Sequence, residues 1–231
     1  MRRQVRSWDV FDTLLGRRCA HPHRVFELCE AASGVAHLAR VRREAGTQSD
    51  GSLPGIYRRV AEVAGLSASQ AASLHDLELH IERHQAYLIP ENVAQVRDGD
   101  ILVSDMYLDA GQILGLLRQA GFERDVSVIA TRGGKGQMTV WKDLQADYDI
   151  TRHLGDNYHS DVVSPRRSGI VGLHFGDAGF MANERLVGEA GFGDLMALMR
   201  TVRLMNPYPR DTFDFWMWNE QAQVNGPMLY L

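Results

Sequence analysis

Short apolar runs recur along this chain, and residues at helical spacing fill the stretches between them. Val5 to Phe11, Ile101 to Ser104, Val126 to Ala130, His153-Leu154-Gly155 and Ile170 to Phe175 read as strands. Strands this short, alternating with helices, predict a parallel α/β sheet. Asp109 is placed to cap a helix carrying Ile113, Leu114, Leu116 and Leu117, with Gly121 as its stop. Trp141 and Leu144 mark another helix, and Ala182 to Leu204 a further pair. The alternation breaks between the first two strands, where residues 22 to 95 are helical almost throughout. Val25, Phe26, Cys29 and Ala32 form one stripe, and Ile56, Tyr57, Val60 and Ala64 a second. Leu74, Leu77, Ile81, His84 and Leu88 form a third, which Pro90 is expected to close. Gly46 to Pro54 is polar and reads as a loop inside this block. The expected organisation is an α/β core over 1–16 and 97–205, a helical cap over 17–96, and an aromatic-rich extension over 206–231. That extension carries Phe213, Phe215, Trp216, Trp218 and Tyr230.

Composition excludes several classes. A net charge of −4 gives no sign of a nucleic-acid or anionic-membrane partner. No apolar run approaches the roughly 20 residues of a membrane span, and Trp8-Asp9 interrupts any N-terminal signal region. Cys19 and Cys29 fit neither a zinc motif nor a disulfide framework and read as small buried hydrophobes. The expected location is cytoplasmic. The apolar end of the chain suggests self-docking, a homodimer or a further domain.

The chemistry gathers at the strand ends. Asp9 sits where the first apolar run stops, with Asp12 and Thr13 close behind. A carboxylate there can be a nucleophile, a metal ligand or both, and it can equally be a residue that stops a strand. Ser104 ends the second strand, and Lys135 lies in a Gly-rich loop, with Lys142 as a rival. Asp156 follows Gly155, and Asp161 follows five residues later. In open α/β sheets, ligands bind outside the carboxyl ends of the strands. Carboxylates crowded there need a cation or a shared proton, and Mg²⁺ suits hard oxygens that include a substrate phosphate. His21, His23 and Cys19 read as an entry loop to the cap. Arg17 and Arg18 read as a hinge, with contact to a substrate anion as the alternative.

In this order, the residues resemble the haloacid dehalogenase (HAD) superfamily. Asp9 and Thr13 match its Asp-x-x-x-Thr motif and Ser104 its second-motif hydroxyl. Lys135 matches the third-motif lysine, with Trp141 in the bulky position beyond, and Gly155-Asp156 with Asp161 the acidic fourth motif. The resemblance implies a three-layer Rossmann-like core with an inserted α-helical cap, and phosphoryl transfer from a small phosphorylated metabolite. It implies Asp9 as nucleophile, with Mg²⁺ held by Asp9, the Phe11 carbonyl, Asp156 and Asp161. Ser104 and Lys135 would bind phosphate, and Thr13 would orient the first loop. The match departs at Phe11, where the family's phosphatases usually carry a second aspartate as acid/base. Asp12, one residue on, is a candidate substitute. General acid–base help is typically worth about 10²–10⁴ in rate, so the departure opens two alternatives. One is a non-hydrolytic binding or scaffold module of a larger biosynthetic protein. The other, ranked lower, is a dehalogenase, whose leaving halide needs no proton.

Overall fold

The computed structural model describes residues 2–206; the aromatic residues expected in the extension lie outside the described residues. The chain opens with β1 (Arg3–Trp8) and a short β2 (Leu15–Arg17). Four helices follow: α1 (Arg24–Ser33), α2 (Leu38–Thr47), α3 (Leu53–Ala64) and α4 (Ala68–Gln85). Then come β3 (Ala86–Leu88), a short α5 (Pro90–Val93), β4 (Ile101–Asp105), α6 (Ala110–Gln119) and β5 (Ser127–Thr131). The last part holds α7 (Thr139–Asp147), β6 (Tyr148–Gly155), α8 (Ser164–Arg167), β7 (Val171–His174), α9 (Ala182–Glu189) and α10 (Gly193–Met205).

Five strands form one sheet in the order β5-β4-β1-β6-β7, and every neighbouring pair is parallel. The fold is therefore α/β with a parallel sheet. Alternate side chains of one strand serve opposite faces. On β4, Leu102 joins Trp8, Ile113, Leu116 and Leu117 in one core. Ile101 and Val103 join Val5, Val140, Trp141 and Ile170 in the other. Strand order reverses at β1, with β4 on one side and β6 on the other. The carboxyl end of β1 is therefore a topological switch point, where open sheets leave a crevice.

Local structure departs from the sequence reading at several points; β6, for one, begins at Tyr148 and not at His153. β1 ends at Trp8, not Phe11, because the chain curls back: Leu14 and Leu15 both donate to the Val10 carbonyl, at 2.8 and 2.9 Å. Asp9 thus becomes the first residue past the strand. α4 ends at Gln85, not at Pro90, because Ala86–Leu88 pairs antiparallel with Leu15–Arg17. Pro90 instead opens α5, in a first-turn position that needs no N–H. On the insertion's helices, Ala32, Ala64 and His84 are exposed, whereas Glu78 and Glu82 are buried. Asp109 does cap α6, accepting from the Gln112 N–H at 2.8 Å. Among the described residues, no helix is long and apolar enough to cross a membrane.

Candidate active site

Asp9, Asp156 and Asp161 converge at the switch point, each offering a carboxylate oxygen within 4.8 Å of the others. Lys135 binds two of them, its Nζ lying 2.5 Å from Asp9 Oδ1 and 2.7 Å from Asp161 Oδ1. Thr13 Oγ1 donates to the other Asp9 oxygen at 3.1 Å. Thr13 is itself held by Asn92, whose side chain donates to the Thr13 carbonyl at 2.9 Å. The group opens into a cavity of about 410 Å³, which Asp12, Ser104 and Phe11 also line.

Asp161 rides on one turn of π-helix, Tyr158–Val163, a backbone form that recurs at functional sites. Asn157 starts that turn, its Oδ1 accepting from the His159 and Ser160 N–H groups at 3.1 Å. The Asn157 N–H also donates to Asp161 Oδ2 at 3.0 Å. Gly155 makes this approach possible, since a Cβ there would collide with the Asp161 side chain. The Lys135 loop is anchored from β4, where Asp105 accepts the Lys135 N–H at 3.2 Å and the Thr131 hydroxyl. Behind it, Ser164 donates to the Lys135 carbonyl and accepts from Trp141 Nε1 at 3.1 Å.

Electrostatics separates the three carboxyls. Burial pushes Asp156 up to about 8, with help from the charges of Asp9, Asp12 and Asp161. Burial likewise raises Asp9, to about 6, against the pull of Lys135. Burial would raise Asp161 too, but His153 and Lys135 outweigh it and hold that carboxyl at about 2. Lys135 keeps its proton despite burial, because Asp9 and Asp161 raise its pKa. Burial lowers His153 to about 4. A neutral ring donating from Nε2 to Asp161, at 3.2 Å, can accept the Ser7 hydroxyl at Nδ1, at 2.9 Å.

Lys135 is buried and Lys142 exposed, so Lys135 is the lysine that reaches the carboxylates. Asp12 has a left-handed backbone, φ +57°, and its Oδ1 lies 3.8 Å from Arg200 Nη1 on α10. Phe11 stacks on the Arg17 guanidinium at 4.1 Å. Arg17 is no solvated hinge: it is buried and paired with Glu82 at 2.9 and 3.2 Å. Among the described residues, His21, His23 and Cys19 form no metal-ligand group.

Sequence reading missed His153, Asn157, Asn92 and Asp105, which hold the others in position. It also missed two buried ion pairs in the insertion. Arg42 meets Glu78 at 2.6 and 2.7 Å, and Tyr57 donates to Glu78 at 2.7 Å. One turn on, Glu82 takes Arg17 and the Tyr107 hydroxyl, the latter at 3.0 Å. The recurrence of acids at 78 and 82 was the one available signal.

Fold and site together define a parallel α/β protein with a carboxylate–lysine centre at its strand ends. No family model and no curated protein matches the chain. Among solved structures it is similar to a haloacid dehalogenase-like family hydrolase from Xanthomonas campestris, at 16% identity and a TM-score of 0.49. That match covers 74% of this chain and 81% of the other.

Proposed function

We propose that this chain is a HAD-type hydrolase that takes the phosphoryl group from a small phosphomonoester with the help of Mg²⁺. One observation carries the reading: three carboxylates within 4.8 Å of one another, two of them bridged by Lys135, at the carboxyl end of the central strand. Five aspartates, Asp9, Asp12, Asp105, Asp156 and Asp161, line the cavity. A phosphate would be repelled there unless a cation entered with it. The raised pKa values of Asp9 and Asp156 express the same need, and a set of hard oxygens fits a small divalent ion. The order of the four sequence motifs supports the reading independently.

In this reading Asp9, the Phe11 carbonyl and Asp156 would hold the cation, with Asp161 completing the group or steadying Lys135. When bound, the cation would neutralise charge on the phosphoryl oxygens. Asp9 attacks phosphorus, the bond to the leaving oxygen breaks, and an aspartyl-phosphate forms. Thr13 and Lys135 each hold one Asp9 oxygen, which sets the orientation of the attacking carboxylate. Lys135 offsets the charge that the attacking carboxylate and the phosphate bring together. Ser104 donates to a phosphate oxygen. Asp12 gives a proton to the leaving oxygen and takes one back from the water that cleaves the aspartyl-phosphate. The helical insertion acts as a cap that excludes bulk water and sets specificity.

The test is phosphate release from a panel of phosphomonoesters, with and without Mg²⁺, in wild type and Asp9→Asn. Metal-dependent release that Asp9→Asn abolishes is the expected outcome. Metal-independent halide release from haloacids would replace this reading with a dehalogenase. A second reading, a non-hydrolytic phosphate-binding module, is favoured by Phe11, whose ring stacks on Arg17 where an acid would be needed. Tight binding of phosphorylated ligands without turnover would establish it.

A further inference from the structure

The cavity has a second lining whose chemistry bears on what the phosphate is attached to. Beside the carboxylates it is lined by Phe11, Pro22, Phe26, Met106 and Tyr107. Two cations lie near these side chains, and both are already matched. Arg17, itself in the lining, is fixed by Glu82 through two hydrogen bonds and stacks on Phe11. Arg42 stacks on Phe26 at 4.3 Å and on Tyr107 at 4.6 Å, and Glu78 takes its charge. Each glutamate is completed by a tyrosine hydroxyl. The guanidinium groups therefore back the rings and hold them in place, rather than offering a second anion site. His23, Asn157 and Ser160 also line the cavity; Asn157 Oδ1 is already taken by the His159 and Ser160 N–H groups, and burial and the neighbouring Arg43 lower the pKa of His23, which disfavours its charged form.

We infer that the leaving group this site accepts is apolar and uncharged, of aryl or arylalkyl type. A polyol or a group with a second phosphate would leave hydroxyls or charge against rings that cannot pair them. The inference rests on the hydrolase reading for its reaction and on the lining for its selectivity, and the two are tested apart.

The experiment compares benzyl phosphate, glycerol 3-phosphate and fructose 1,6-bisphosphate as substrates of the Mg²⁺-loaded protein. All three release an alkoxide-type oxygen, so differences report recognition rather than leaving-group acidity. In parallel, calorimetry compares the non-hydrolysable benzylphosphonate and methylphosphonate. Benzyl phosphate is expected to exceed both rivals in kcat/KM by at least about 10-fold. Equal or better turnover of either rival overturns the inference and leaves the hydrolase reading standing. If nothing is turned over while benzylphosphonate binds at least about 10-fold tighter than methylphosphonate, the hydrolase reading falls and the assigned lining stands. No turnover with no such difference in binding overturns both.

Discussion

Asp156 stands apart among the aspartates of the centre: its pKa is pushed furthest up, whereas Lys135 and His153 hold Asp161 low. The consequence is a pH dependence of stability with a defined sign. Unfolded, an aspartate titrates near 3.8; folded, Asp156 is raised to about 8. Between pH 7 and 8 the native state therefore binds a proton that the unfolded state has lost, and stability falls as pH rises. One proton is worth up to about 1.4 kcal/mol per pH unit. Asp9, at about 6, has largely titrated by then, whereas Cys19 and Cys29, which burial raises to about 11 and about 12, add to the decline with the same sign, so the Asp156 share is read by comparison with a variant that lacks its carboxyl. Melting curves in EDTA should show Tm declining from pH 7 to 8. Saturating Mg²⁺ or Asp156→Asn should flatten the decline. At this scale much was legible. Asp9, Ser104 and Asp156 end apolar runs, and Lys135 stands among glycines. His153 was not legible, because a histidine inside a strand carries no sign of the acid it meets across the turn.

α4 shows where reading an element by its apolar periodicity fails. Leu74, Leu77, Ile81 and His84 mark a face by their apolar or aromatic character, yet His84 is exposed while Glu78 and Glu82 are buried. Charged residues on a helix normally face water. Their partners, Arg42 on α2 and Arg17 on β2, lie far away in the chain, and only the packing of the helices and of β2 with α4 brings them together. Breaking such a pair leaves a buried charge alone. Glu78→Ala should cost about 3–5 kcal/mol in urea unfolding. The double variant Arg42→Met with Glu78→Leu should recover most of that, because no unpaired charge remains. A double-mutant cycle measures the difference. The ends of α4 had a similar history. Ser67 caps its start in a capping box, but its stop at Gln85 is set by pairing with β2 rather than by Pro90.

At the scale of the described residues, α10 reaches back to β2 and the loops on either side of it. Arg200 donates to the carbonyls of Arg17 and Cys19 at 3.2 and 3.1 Å, faces Asp12, and stacks on Phe180 at 4.4 Å. Close by on α10, Arg203 is buried against Glu184 of α9. Arg200→Ala should lower stability by about 1–3 kcal/mol, leaving the two buried carbonyls without their donor. It should also speed proteolysis over residues 18–23, where the chain enters the insertion. Urea unfolding and timed digestion check the two effects. The alternation of short strands with helices, hence a parallel sheet, and the long helical stretch between the first two strands are legible from the order of residues alone. These follow from side-chain spacing, which neighbours in the chain impose. The strand order, the curl that puts Asp9 past β1, and the choice of charges buried together emerge only when the chain is folded. Those depend on groups far apart in the chain, whose pairing costs desolvation that only a completed fold offsets.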